Sequence, residues 1–195
     1  YPQSMMASDR DTLMEAYPGD IIGLYDPGTF RIGDTIANVK NAGFVDIPRF
    51  SPEHFAVVEI KEALKRKQLT KGLDQLSEEG AIQVFKPLFG SQYVVGAVGQ
   101  LQLEVMKQRL LTEYSVEADY ESVDYSTARW VTPKTEGRKK QDIEKTMQEF
   151  RRKNDRNLYV DGHGDLCYLA PNRWNLEKVQ ERHPDVIFEE TREHT

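Results

Sequence analysis

Apolar and polar positions recur with two different periods along this chain, and the clearest switch between them lies in Tyr93–Glu121, YVVGAVGQLQLEVMKQRLLTEYSVEADYE. Tyr93–Val98 is uncharged and rich in β-branched residues, which predicts a short buried strand. Gly96 and Gly99 permit a tight turn ahead of a helix. From about Gln100 to Tyr114 the period changes: Leu103, Met106, Leu110 and Tyr114 form one helical stripe, widened by Leu111, with Lys107, Gln108, Arg109 and Glu113 outside it. Val116, Ala118 and Tyr120 then alternate with Glu117, Asp119 and Glu121, the pattern of a half-buried strand with an acidic outer face.

The same reading extends upstream. Phe55–Ile60 is a strand. Leu69, Leu73 and Leu76 stripe a helix of about Lys65 to Glu79, and Gly80 suits its C′ position. Ala81–Lys86 is the next strand, with Ile82 and Val84 on one face. Residues 55–121 therefore run β-α-β-β-α-β. Two right-handed crossovers in that order give an antiparallel sheet with both helices on one side, the ferredoxin-like arrangement.

Residues 127–192 repeat the plan without repeating the sequence. Ala128–Val131 is a strand, and Ile143, Met147 and Phe150 stripe a helix of about Arg138 to Lys153. Asn157–Val160 and Leu166–Leu169 flank a hairpin turn, Asp161-Gly162-His163-Gly164-Asp165. Asn172 caps a helix carrying Trp174, Leu176 and Val179. His183-Pro184 ends it, and Val186–Glu190 is the closing strand. Residues 1–45 are turn-rich, with strands expected at Gln3–Ala7, Ile21–Leu24 and Phe30–Ile36. Tyr17-Pro18-Gly19-Asp20 and Asp26-Pro27-Gly28 separate them. Three short strands cannot close a barrel alone. Either they pack on the downstream part of the chain or they end a domain that begins upstream. Ile47-Pro48-Arg49-Phe50-Ser51-Pro52 reads as a stiff linker.

Composition narrows the class. The chain has 195 residues, 38% hydrophobic and 30% charged, as in a soluble globular protein with a highly charged surface. No apolar run is long enough to span a membrane and no signal peptide is evident. The one cysteine, Cys167, has no internal disulfide partner, which favours a reducing, cytoplasmic setting. The start at Tyr1, without methionine, leads us to expect a piece of a longer protein. A net charge of −6 argues against a generic nucleic-acid coat and leaves room for local basic patches.

No catalytic constellation is visible. The phosphate loop GxxxxGK[ST], the GxSxG elbow and HExxH are all absent. His54, His163, His183 and His194 show no metal-ligand spacing. Cys167 reads as a small core residue, and Asp20 and Asp34 as turn formers. We therefore expect no catalytic, cofactor or metal residues. Two basic clusters remain. Lys61, Lys65, Arg66, Lys67 and Lys71 against Glu62 give a local +4 around the first helix start. Arg138, Lys139, Lys140, Lys145, Arg151, Arg152, Lys153 and Arg156 stand against Asp142, Glu144, Glu149 and Asp155. Each is either a solvated helix face or a contact for RNA phosphates. Lys65, Arg66 and Lys67 are the favoured contact, because three consecutive cations cannot all pair on one helix face. The second cluster, interleaved with acids, is expected to pair with itself. No RNP-type aromatic pattern accompanies either one, which argues against base reading.

Several stretches resemble a known family. Glu15-Ala16-Tyr17-Pro18-Gly19-Asp20-Ile21-Ile22-Gly23-Leu24, then Gly28-Thr29 and Ile32-Gly33-Asp34-Thr35, are similar to the end of the second-domain β-barrel of translational GTPases. Lys67-Gln68-Leu69, Gly72–Ala81, Val84-Phe85, Val95–Gly99, Tyr120–Val123 and Thr127–Val131 resemble the bacterial class II peptide chain release factor, release factor three. So do Arg182–Val186, Phe188 and Thr191–His194. The Gly99–Glu104 turn also resembles the third domain of elongation factor G. That factor usually has glutamate and histidine where Gln100 and Gln102 stand here, so the departure leans toward the release factor.

The resemblance implies an α+β chain: a β-barrel remnant followed by two ferredoxin-like β-α-β-β-α-β units. Its expected divisions are 1–50 (barrel end and linker), 51–125 and 126–195. It implies the ribosome-docking C-terminal region of a GTP-dependent termination factor that stimulates release of class I release factors from the ribosome. The implied partners are the ribosome, through its RNA and proteins, and the factor's own N-terminal GTPase domain, where GTP or GDP is held. Class I release factors are reached indirectly, and no membrane is involved. Hydrolytic residues are not expected in this stretch. Two rival readings stay open: a stand-alone RNA-binding adaptor, and a ferredoxin-like regulatory domain binding a small effector.

Overall fold

The computed structural model describes residues 3–6, 9–12, 14–27, 29–30, 34–39 and 49–192. They belong to two compact units, Tyr1–Ile36 and Ala37–Thr195. In the first, β1 (Gln3–Met6) pairs antiparallel with β2 (Asp9–Thr12) and, on its other edge, with β3 (Ile22–Gly23). The strand Asp9–Thr12 departs from expectation, because Asp-Arg-Asp-Thr offers no apolar alternation. Of the expected strand Phe30–Ile36, residues 31–33 lie outside the described residues, and Phe30 and Asp34–Ile36 form no strand. The turns use their aspartates as their sequences require. Asp20 accepts the Tyr17 N–H at 2.7 Å, and Asp26 accepts those of Thr29 and Phe30 at 2.9 Å.

The second unit has a strand within the expected linker. Ile47 and Pro48 lie outside the described residues, and β4 (Arg49–Phe50) pairs with a strand near the chain end. Then β5 (His54–Ile60) leads through a single 3₁₀ turn, Ala63–Lys65, into α1 (Arg66–Glu78). Leu69, Leu73 and Leu76 are buried, as their spacing requires. Gly80, at φ 71°, ends the helix: its N–H bonds to Ser77 O while that of Ala81 bonds to Leu76 O, satisfying two terminal carbonyls. Next come β6 (Gln83–Pro87), β7 (Val94–Ala97), α2 (Gln100–Tyr114) and β8 (Ala118–Ser122). Leu103, Met106 and Leu110 are buried between α2 and the sheet, but Leu111 is 48% exposed. At 100° per residue it sits beyond the edge of the stripe, so it does not widen the core face.

The second half repeats these elements as β9 (Thr127–Pro133), α3 (Lys140–Lys153), β10 (Leu158–Asp161), β11 (Leu166–Ala170), α4 (Arg173–Arg182) and β12 (Val186–Glu189), before β13 (Thr191–Arg192) returns to β4. Asn172 caps α4 through the Asn175 N–H at 2.9 Å. Leu176 and Val179 are buried, whereas Trp174 is 63% exposed and leaves the expected stripe.

All eight long strands form one antiparallel sheet in the order β12-β9-β11-β10-β6-β7-β5-β8. Each half taken alone has the order fourth-first-third-second, the ferredoxin-like order. The halves join through their second strands, β6 against β10, with Phe85 opposite Asp161 and Pro87 opposite Tyr159. One apolar layer lies under α1 and α2 (Leu73, Val84, Val95, Leu110, Val116) and another under α3 and α4 (Val131, Phe150, Leu158, Leu176, Val186).

The opposite face holds a third layer, to which both halves contribute: Phe55, Phe85, Val94, Trp130, Tyr159 and Cys167 among them. Chain length dictates its shape. Only residues 123–126 connect β8 to β9, and those strands are six places apart in the sheet. A flat sheet would separate them by about 29 Å, whereas five Cα steps reach at most about 18 Å. The sheet therefore curls, enclosing the third layer with the helices outside. Hydrogen bonds across the closure agree: Ser51, just before β5, accepts the Ala128 N–H of β9 at 2.7 Å, and its hydroxyl lies 3.0 Å from that of Thr127. Inside, the buried Asp161 carboxylate accepts Trp130 Nε1–H at 3.0 Å and the N–H groups of His163 and Asp165 at 2.9 Å. That satisfies a charge that would be costly to bury unpaired.

The α2 register and the approach at Gly96 can both be tested by stability. Leu110→Ala should cost about 2–5 kcal/mol, as for a large-to-small change in a packed core. Leu111→Ala should stay within about 0.5 kcal/mol. Urea melts of both variants check this, and equal shifts would contradict the helix register. Gly96 lies inside β7 and not in a turn. A Cβ there would fall 2.3 Å from Pro52 Cγ and 3.0 Å from Phe85 Cε2. Gly96→Ala should destabilise by about 1–3 kcal/mol through overpacking, and an unchanged urea midpoint would refute the close approach.

Candidate nucleic-acid interface

Lys65, Arg66 and Lys67 sit where the 3₁₀ turn becomes α1. Lys65 closes the turn by bonding its N–H to Glu62 O at 2.9 Å. Its ammonium pairs with Glu62 at 3.1 Å. The Arg66 guanidinium donates to the Ser91 carbonyl, and Lys61 pairs with Glu117. Lys67 and Lys71 remain exposed, with no ion pair among the described residues. They are one turn apart, about 6 Å along the helix axis. No acidic residue occupies the first turn of α1. The three cations thus oppose the positive end of the helix dipole, an arrangement an incoming anion would relieve. Arg66 also borders a cavity of about 280 Å³ floored by Val58, Ile60, Leu69 and Tyr93.

The second cluster departs from expectation. Within α3 the acids neutralise little: Lys153 pairs with Glu149 at 2.7 Å. Arg138, before the helix, reaches Asp185 at 3.3 Å and donates to Thr146 at 3.2 Å. Lys139, Lys140, Lys145, Arg151, Arg152 and Arg156 are exposed and form no ion pair among the described residues. Interleaving in sequence does not amount to pairing here: Asp142 stands three residues before Lys145 and Glu144 four after Lys140, yet neither forms an ion pair among the described residues. The sequence held part of the signal: Lys145 has no acid four residues before it, and Glu136, four before Lys140, precedes the helix. Elsewhere cations are matched: Lys86 to Asp74, Lys107 to Asp119, Arg129 to Glu190 and Lys178 to Glu181. Arg109 bridges α2 to α1 by holding both Glu113 and Glu79 at 2.6 Å.

The histidines do not converge. His54 and His163 are exposed, His194 lies outside the described residues, and no group of three metal-ligating side chains occurs among the described residues. Cys167 is a fully buried thiol of the enclosed layer. No helix among the described residues is long and apolar enough to cross a membrane.

The described residues thus form a small β unit and a ferredoxin-like pair whose outer helices carry cations. Residues 44–180 match the family model described as class II release factor RF3, C-terminal domain, and residues 1–39 match elongation factor G domain 2. The first match covers well over half of the chain, and the chain belongs to that release-factor family. Neither description names a nucleotide-hydrolysing domain.

His183, the C-cap of α4, gives the outer layer a pH dependence. Its ring meets Phe150 edge-on at 4.9 Å, and its Nε2 lies 3.2 Å from Asn154 Nδ2. Burial, with Lys153 and Arg182 close by and Glu149 acting against them, holds its pKa below the ordinary 6.5. The neutral ring is thus the folded form. Its contribution is complete above the unfolded-state value and is lost as pH falls through the lower folded-state value. Stability by urea should decline between about pH 7 and pH 5. His183→Gln should flatten that decline, and parallel profiles would remove His183 as its source.

Proposed function

We propose that this translation-termination region docks its factor on the ribosome and passes on the nucleotide state of a separate GTPase domain, so that class I release factors depart after peptide release. The observation carrying this reading is the release-factor match over residues 44–180, on a fold whose outer helices expose cations without protein partners. The small-effector alternative finds little support. The cavity beside Arg66, about 280 Å³, falls just below the usual range for ligand sites, roughly 300–1,000 Å³, and the groove of about 450 Å³ beside Lys145 has a mainly charged and polar lining, unlike the mostly apolar walls of such sites.

At the Lys65–Arg66–Lys67 corner the contact is with ribosomal RNA phosphates. Lys65 and Arg66 are already engaged within the protein, so Lys67 supplies most of the charge available to a partner. Changing all three to alanine in the full-length factor should weaken ribosome binding. It should lower the log–log salt slope by about 1, as for loss of one phosphate contact. GTP binding by the free factor should not change. A salt series of ribosome binding checks this, and identical affinities and slopes would return the corner to an ordinary solvated helix start.

A further inference from the structure

We propose that the outward face of α3 is a second docking strip, binding the phosphate backbone of RNA. This rests on the ribosome-docking reading above and adds a surface to it. Ile143, Met147 and Phe150 turn α3 toward the sheet. On a helix of 100° per residue, Gln141, Lys145, Gln148 and Arg152 then share the opposite side within about 60° of arc. That strip contains no acid, since Glu144 falls on one flank and Asp142 and Glu149 on the other. Lys145 and Arg152 stand about 10 Å apart along the axis, with the amide of Gln148 between them and that of Gln141 one turn before Lys145. Outside this arc, Lys139 and Lys140 stand at the start of the helix, and Arg151 and Arg156 stand near and beyond its end.

Helix electrostatics do not account for this pattern. Arg151, Arg152 and Lys153 in the last turn complement the negative end of the dipole. Lys139 and Lys140 are at the positive end, and Lys145 is in the middle. All three lack a carboxylate partner in a protein that matches most of its other lysines. Residues 138–156 carry eight basic against four acidic side chains, a local +4. The whole chain is −6, so the remainder carries −10. The polar groove of about 450 Å³ beside Lys145 is lined by Arg138, Lys139 and Thr146 but also by Asp142 and Glu149, so the anion contact is assigned to the outward face and not to this groove. RNA is a better occupant than an acidic protein. The strip has no apolar or aromatic anchor of the kind that carries protein interfaces, and its alternation of cation and amide suits a repeating phosphate. With no ring to stack on, it holds backbone and does not read bases.

The test is ribosome binding across a salt series, using the full-length factor as wild type and two triple variants. Lys140→Gln/Lys145→Gln/Arg152→Gln removes three charges of α3 that form no ion pair among the described residues, two of them on the strip. Lys86→Gln/Lys107→Gln/Lys178→Gln removes three ion-paired charges elsewhere, so net charge falls equally. Exposed strip positions should leave the urea midpoint unchanged. The strip variant is expected to bind about tenfold more weakly near 0.1 M salt, with a log–log slope lower by about 2–3. The control should stay close to wild type. Unchanged binding by the strip variant, weaker binding with the wild-type slope, or equal flattening in the control would each overturn the strip while leaving ribosome docking intact. Absence of binding by wild type itself would instead sink the docking reading, and the strip with it.

Discussion

The short connection between β8 and β9 constrains the structure more than any other feature. Residues 123–126 are too few to cross a flat eight-stranded sheet, so the sheet must bring its ends together. That closure is what makes a second core possible. Two separate ferredoxin-like units would each leave one sheet face to water. Here the two free faces become a single enclosed layer, sealed by Tyr125, whose hydroxyl lies 3.1 Å from that of Tyr159 and whose ring meets Phe55 edge-on at 6.1 Å. The helices are consequently forced outward, and α1 and α3 both present their polar faces to solvent. The surface chemistry is a consequence of that closure.

Much of the secondary structure is legible in the sequence because the relevant information is local. The α2 boundaries, the caps at Gly80 and Asn172, and the alternation through Val116–Glu121 follow from period and capping chemistry alone. The illegible part depends on contacts between distant residues. Nothing in the period of β6 or β10 shows that these edges pair with each other, because each reads as an ordinary terminal strand of its own unit. Leu111 and Trp174 join apolar stripes by composition, yet each lies beyond the arc that the sheet can cover. The strand Asp9–Thr12 carries no apolar alternation, so only its pairing with Gln3–Met6 reveals it.

The basic clusters show the same division between local and distant information. Charge counts are local and give both clusters a net +4. Availability depends on partners, and those of the first cluster are remote: Glu117 for Lys61 and the Ser91 carbonyl for Arg66 are far along the chain from their donors. For the second cluster the nearby acids suggest self-pairing, but neither Glu144 nor Asp142 forms an ion pair among the described residues. Ranking the clusters by sequence therefore favours the one whose cations are largely engaged. The structure reverses the order of available charge.

An acidic chain docking on a polyanion, as proposed, would need its cations segregated, and the unpaired ones among the described residues lie largely on the outer helices. At physiological ionic strength, charges separated by much more than about 8 Å barely feel one another in water. The negative charge spread over the rest of the surface therefore does not cancel a concentrated strip at close range. It does repel phosphate everywhere else, which restricts encounter to the cationic helices and suppresses non-specific coating of RNA. Engaged cations such as Lys107 and Lys178 bring no net attraction, because their carboxylates travel with them. In the proposed docking, orientation would then be set by which lysines lack a carboxylate, with no need for base recognition.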